Sequence, residues 1–202
     1  PFGNTLNIMN QHMKQRPPIY DFISLGKLKQ SEVESLREIS NKLLDADQDR
    51  VNQDLAGHVH ASYELPKESY QYQDRILKQL QMMTKHREWK LTENWVNFQK
   101  KNEYNPFHRH GGEYSYVIWL TIPYNIEEEM NVPIVKNSSS PCATAFTLYY
   151  TNAMGQIKTE DFYPDKKDSG SFVIFPANIC HSVNPFYTSD EYRVSISGNL
   201  VA

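Results

Sequence analysis

The spacing of apolar residues changes character about halfway along the 202-residue chain. In "SEVESLREISNKLLDADQDR", Val33, Leu36, Ile39, Leu43 and Leu44 recur at the period of an amphipathic helix. Ser31 followed by Glu34 gives that helix a capping-box spacing at its start. "ESYQYQDRILKQLQMMTKHREW" predicts a second helix with Ile76, Leu77, Leu80 and Met83 on one face. The intervening "VNQDLAGHVHASYELPKES" is broken by Gly57 and Pro66 and reads as loop. From Trp95 onward the pattern becomes that of strands. "NWVNFQ", "YSYVIWLTIP", "ATAFTLYYT", "IKTEDFY", "SFVIFP" and "YRVSISGNL" are rich in β-branched and aromatic residues and bounded by Gly, Pro, Asn and Asp. "TNAMGQ" predicts a hairpin turn in which Gly155 supplies a positive φ. Glu127, Glu128 and Glu129 read as a solvated loop, continued by the polar "NVPIVKNSSSPCA".

Short strands following a helical segment predict a mainly β, α+β architecture: a jelly-roll or cupin-like barrel buttressed by N-terminal helices. The length fits a single domain over residues 1–202, with 1–94 as helical support and 95–202 as the β core. Composition narrows the partners. With 21 basic against 24 acidic residues and no basic stripe, no surface for nucleic acid is indicated. Two cysteines, Cys142 and Cys180, form no disulfide framework and read as reduced thiols of a cytoplasmic protein. No apolar run approaches membrane-spanning length, and residues 1–18 lack the apolar core of a signal peptide.

The candidate chemistry begins at "NPFHRHGGEYSYVIWLTIPY". His108 and His110 are two apart, so on a strand their side chains share a face, close enough to bind one ion at about 2.0–2.2 Å. A second such pair, His58 and His60, has no strand or glycine turn after it and reads as a loop feature. His181, placed after "SFVIF" and Pro176, is the candidate third ligand. Further on, Arg193, Ser195 and Ser197 share one face of "YRVSIS" while Val194 and Ile196 share the other. A guanidinium on the polar side of a small barrel needs an anion, because leaving it buried and unpaired costs several kcal/mol. A dicarboxylic cosubstrate would satisfy Arg193 bidentately, with the Ser195 hydroxyl adding a hydrogen bond; Glu191, Asp190 or Glu160 are the structural alternatives. Trp119, Tyr116 and Ile118 read as core, with Tyr116 also a candidate to face the metal. Trp95 and Asn97 begin the strand leading to the site.

The ordered set of HxH before a strand, a distal histidine after G-x-x-x-x-F-P, and R-x-S resembles the Fe(II)/2-oxoglutarate-dependent oxygenase superfamily over residues 95–199. It is most similar to HxH-type oxygenases of marine phages and bacteria. The resemblance implies a double-stranded β-helix with His108 and His181 as iron ligands, and Arg193 with Ser195 holding the distal carboxylate of 2-oxoglutarate. The implied activity is a dioxygenase that couples hydroxylase-type oxidation to decarboxylation of 2-oxoglutarate to succinate. Its substrate would be a protein side chain, a small metabolite or a nucleotide, in the cytoplasm of a bacterium or an infected host cell. One position departs from the pattern: the residue two after the first histidine is usually acidic, and here it is His110. Either the metal has three histidine ligands, or Glu113 reaches back across Gly111 and Gly112 to supply a carboxylate. Two other classes stay open on the residues alone: a cupin-like metalloprotein that ignores 2-oxoglutarate, and a non-catalytic jelly-roll binding module with structural histidines.

Overall fold

The computed structural model describes residues 22–85 and 88–202. The stretch 1–18, His12 and His86 lie outside the described residues. Helix α1 (Gln30–Ala46) and helix α2 (Gln73–Thr84) form where the helical periods predict them. The cap of α1 is displaced from the expected Ser31. Glu32 takes the third helical position, and its carboxylate accepts the Lys29 N–H at 2.6 Å. The same carboxylate accepts from Arg75 Nε at 3.0 Å, so one side chain both caps α1 and fastens it to α2.

Among the described residues, ten strands form two sheets. Six of them, β1 (Ser24–Lys27), β2 (Ala61–Glu64), β3 (Lys90–Gln99), β5 (Tyr114–Thr121), β8 (Ser171–Pro176) and β10 (Arg193–Val201), run in the order β1-β8-β5-β10-β3-β2. The other four, β4 (Asn105–His108), β6 (Phe146–Thr151), β7 (Ile157–Phe162) and β9 (Cys180–Val183), run β4-β9-β6-β7. All the pairings are antiparallel. Gly155 turns the β6–β7 hairpin with φ of +74°, as predicted. The two sheets remain separate in their hydrogen bonding and do not close into one barrel.

Period-two alternation along the central strands builds three layers. Ile118 and Leu120 on β5, Phe172 and Ile174 on β8, and Val194 and Ile196 on β10 pack with Val33, Leu36, Ile76 and Leu80 of the helices. The intervening Val117, Trp119, Val173 and Phe175 face the smaller sheet and meet Phe146, Leu148 and Phe162. Tyr116 belongs to the helix side, where its hydroxyl lies 3.1 Å from that of Tyr72, so it does not face the candidate metal site. On β3 and β10 the positions turned toward the small sheet are polar or amphipathic: Trp95, Asn97 and Gln99, and Arg193, Ser195 and Ser197. The space between the sheets is therefore apolar under β5 and β8 and polar under β3 and β10, and the polar end holds the site.

The run Glu127–Glu129 is not a solvated loop. It lies in a short helix, α3 (Ile126–Asn131), followed by α4 (Pro133–Lys136) within the expected polar loop. Glu129 is fully buried and accepts the backbone N–H groups of Tyr187 at 2.8 Å and Thr188 at 2.9 Å. Among the described residues, no helix is long and apolar enough to cross a membrane.

Candidate active site

His108 closes β4 directly opposite His181 on β9. A bulge between Asn105 and His108 bends the short strand, and the chain then turns so that His110 follows outside it, its N–H bonded to the Ala177 carbonyl at 3.0 Å. The two histidines thus converge through a turn rather than by simple strand alternation. Ring centroids lie 4.2 Å apart for His108 and His181, 4.9 Å for His110 and His181, and 5.0 Å for His108 and His110. The ligand nitrogens of all three fall within 4.8 Å of one another, and this is the only such group of three metal-ligating side chains among the described residues.

The hydrogen bonds set the tautomers. Nδ1 of His108 lies 2.7 Å from the Pro106 carbonyl, and Nδ1 of His181 lies 3.2 Å from the Ile179 carbonyl. A carbonyl oxygen can only accept, so each Nδ1 carries the proton and each Nε2 turns a lone pair inward. Nε2 of His110 and Nε2 of His181 are 3.2 Å apart. Two nitrogens each about 2.1 Å from one ion, at right or tetrahedral angles, stand at roughly that separation. The donor set therefore fits a divalent ion of the kind imidazoles bind.

Burial shapes the electrostatics. Burial pushes His110 down to about 4, with His108 adding to the shift, and pushes His181 down to about 3, with His108 and His110 adding to it. Burial also lowers His108, partly opposed by its bond to Pro106. All three rings are neutral at neutral pH, so a metal would have no excess proton to displace from them. These folded values lie below the unfolded value of about 6.5, so the unfolded chain takes up protons first as pH falls. The metal-free protein should keep its full stability above about pH 6.5. Below that it should lose roughly 2 kcal/mol by pH 5 for a histidine such as His110, the loss ending near the folded value. Urea midpoints of metal-free protein at pH 7 and pH 5 test this, with His110→Gln expected to flatten the slope. A midpoint that does not move on acidification would refute it.

Arg193 is 3% exposed and faces the same side as Ser195 and Ser197. Its five N–H groups all meet neutral acceptors. Nε and Nη2 donate to Gln99 Oε1 at 3.1 and 2.7 Å, Nη2 also to the Asn184 carbonyl at 2.7 Å, and Nη1 to Tyr124 Oη at 3.0 Å and the Thr144 carbonyl at 3.1 Å. Phe186 and Tyr124 cover the guanidinium with their rings, 5.4 and 5.9 Å away. None of the expected carboxylates, Glu160, Asp190 or Glu191, is its partner. Ser195 and Ser197 line the cavity that contains the three histidines; Arg193 lies beyond its wall.

Glu113 is not brought into the cluster: it is exposed, and its Oε1 accepts the Ala202 N–H at 3.3 Å. His58 and His60 stay apart from the three histidines, packing against Tyr104 and Tyr192 respectively. The pattern did not foretell Gln99, Tyr124 and Thr144 around the arginine. Gln99 alone carried a signal, as the third member of the Trp95–Asn97–Gln99 alternation.

Residues 93–199 match a family model described as "Putative 2OG-Fe(II) oxygenase". The chain belongs to the 2OG-Fe(II) oxygenase family. It is accordingly a 2-oxoglutarate-dependent non-haem iron oxygenase, with Fe(II) and 2-oxoglutarate as its cofactors. No curated protein matches it in sequence. Solved structures with a similar fold include a prolyl-4-hydroxylase from Pseudomonas putida, at 13% identity and TM-score 0.55, covering 95% of each chain. A prolyl hydroxylase from Trichoplax adhaerens, in complex with a hypoxia-inducible-factor peptide, is 12% identical with TM-score 0.59, covering 98% of this chain and 90% of that one. HygX from Streptomyces hygroscopicus, with nickel, 2-oxoglutarate and hygromycin B bound, is 14% identical with TM-score 0.57, covering 89% and 82%.

Proposed function

We propose that His108, His110 and His181 are the three protein ligands of the Fe(II), and that Arg193 with Ser195 receives the distal carboxylate of 2-oxoglutarate. The observation that carries this reading is the convergence of three neutral imidazoles, two with tautomers fixed by backbone carbonyls. When bound, the ion supplies a site for chelating 2-oxoglutarate and activating dioxygen, so that oxidation of a substrate C–H is coupled to decarboxylation to succinate. With no carboxylate among these ligands, the protein would add no negative charge at the ion, and the cosubstrate's near carboxylate would offset one of its two positive charges.

The rest falls to the chain. Ser195 lies two positions from Arg193 on one face of β10, a step of roughly 7 Å, so the strand offers a lane from the histidines toward the guanidinium. The buried guanidinium has hydrogen bonds but no counter-ion among its bonded partners. An entering carboxylate would exchange a neutral acceptor such as Gln99 Oε1 for a charge-assisted one. Burial raises Tyr124, against the opposing pull of Arg193, so its phenol stays protonated and can donate. Thr144 adds an orphan: its hydroxyl is buried without a hydrogen-bond partner, and its backbone holds φ of +66°, unfavourable for a β-branched residue. A carboxylate is what such a donor lacks.

In this reading the two facing sheets form the double-stranded β-helix of an HxH-type oxygenase, and the substrate is a peptide or small molecule with an oxidisable C–H. The similar structures with a bound peptide or hygromycin B support that breadth. The test is an anaerobic titration of 2-oxoglutarate into Fe(II)-loaded protein. A visible charge-transfer band should rise to saturation at one equivalent of 2-oxoglutarate per bound iron. Bound iron without the band would sink the cosubstrate assignment, and protein that takes up no iron would sink the ligand set.

A further inference from the structure

The cavity around the histidines has a second polar feature that neither iron nor 2-oxoglutarate uses in the reading above. No Asp, Glu, Lys or Arg lines it. Its floor is the β3–β10 pair, where Asn97 stands opposite Ser195 and Trp95 opposite Ser197. Its roof is the turn Leu55–Ala56–Gly57, with Asn105 beside it. The roof is held in place: the Asn52 side chain accepts the Ser62 N–H at 2.8 Å and donates to the Val59 carbonyl at 2.9 Å. His58 N–H bonds the Tyr104 carbonyl at 2.9 Å. A Cβ at Gly57 would come within 2.7 Å of Asn105 Oδ1, so the Asn105 side chain would have to shift to admit one.

Asn97 is 7% exposed, and its Oδ1 accepts the Ser62 hydroxyl at 2.8 Å. That bond fixes the amide on the β2 side. Among the described residues its Nδ2 has no partner, and the residue lines the cavity. The Ser197 hydroxyl, also on the floor, is likewise unpartnered among the described residues. Trp95 lies between this patch and the metal site, its ring 5.4 Å from that of His110. An amide donor that opens onto the cavity is free to meet an acceptor placed there, and that bond would contribute about 0.5–1.5 kcal/mol.

From these observations we infer that Asn97 is a substrate-binding residue, and that the substrate group reaching the metal is uncharged and carries an oxygen acceptor, such as an amide carbonyl, near its oxidised C–H. This rests on the metal and cosubstrate assignment above. A charged group has no partner in this lining. No side chain of opposite sign lines the cavity to pair with it, so burying a charged substrate group there would go uncompensated. A neutral carbonyl loses little on entry and gains the Nδ2 donor, while the indole of Trp95 provides an apolar wall.

Three small probes of similar size separate the possibilities: N-acetylglycinamide, neutral; N-acetylglycine, anionic; and glycylglycinamide, cationic at neutral pH. With Mn(II) in place of Fe(II) and with 2-oxoglutarate present, the paramagnetic relaxation of the probe protons reports approach to the metal without any turnover. The neutral probe should be relaxed most. Asn97→Leu should reduce its relaxation about three- to tenfold, the worth of one hydrogen bond. Asn97→Asp keeps the acceptor for Ser62 and should turn the preference toward the cationic probe. Affinities for Mn(II) and 2-oxoglutarate should be unchanged in both variants. Equal relaxation by charged and neutral probes, or no relaxation by any, overturns the inference, as does an Asn97→Leu protein that still relaxes the neutral probe fully. A variant that loses 2-oxoglutarate affinity instead would move Asn97 to the cosubstrate. Failure of the parent protein to bind Mn(II) or 2-oxoglutarate sinks the underlying assignment, and this inference with it.

Discussion

His181→Ala should leave a folded protein that no longer retains iron. His181 is 2% exposed, is fixed by the Ile179 carbonyl and sits against the rings of Phe146 and Phe175, so no neighbouring donor can swing in to replace it. Losing even a hydrogen-bond partner of a metal ligand commonly costs 10–100-fold in affinity, so losing a ligand outright should cost more than about 100-fold. Folding need not suffer in proportion. The metal-free cluster already holds His110 and His181 nitrogen to nitrogen at 3.2 Å, and the variant relieves that contact. Iron content after anaerobic reconstitution is one readout. The other is the rise in melting temperature on adding metal, which a ligand at 100 times its Kd should produce by adding about 2.7 kcal/mol of stability to the parent. Full iron occupancy in the variant would exclude His181 as a ligand, and an unchanged thermal shift would exclude it independently.

That this cluster could be foreseen has a physical reason. A metal needs few donors, and the two-residue step from His108 to His110 is a local signal of two of them, although they converge through a turn. The pairing of His108 with His181 is a long-range contact that spacing does not show. The elements behind them were harder to see. Strands β1, β2, β4 and β9 have four residues each, too few for a period of two to stand out, and β4 contains Pro106. The longer strands and both main helices were legible because they repeat their pattern. Tyr116 is core as expected, but the alternative that it faces the metal fails for a related reason. Strand β5 is covered on both sides, so its apolar run does not say which residues face the helices. Glu129 was hidden by its neighbours: an acidic triplet looks solvated until a helical turn places Glu129 on the same side as the buried Ile126.

The surroundings of Arg193 were the least legible part, and they decide the second large effect. Gln99, Tyr124, Thr144 and Asn184 come from four separate segments, so no local pattern could have joined them. Their convergence changes the expectation for this residue in kind. An arginine paired to a nearby glutamate would be structural, and its loss would be felt mainly in folding. An arginine buried among uncharged acceptors keeps its full charge for an incoming anion. Arg193→Ala should therefore weaken 2-oxoglutarate binding by about 100-fold or more, the usual scale for truncating one partner of a buried charge pair. Iron content should be unchanged, because no ligand touches the guanidinium.

Since that variant also strands the Thr144 and Asn184 carbonyls, Arg193→Lys provides the control. It keeps the charge but cannot reproduce the fork that meets Gln99, Asn184, Tyr124 and Thr144 together, so it should fall between the parent and the alanine variant. Titrations of the charge-transfer band give both affinities against iron measured in the same samples. If both variants bind 2-oxoglutarate within about threefold of the parent, less than one neutral hydrogen bond is worth, the guanidinium is a structural post and the cosubstrate anchor lies elsewhere on the cavity wall.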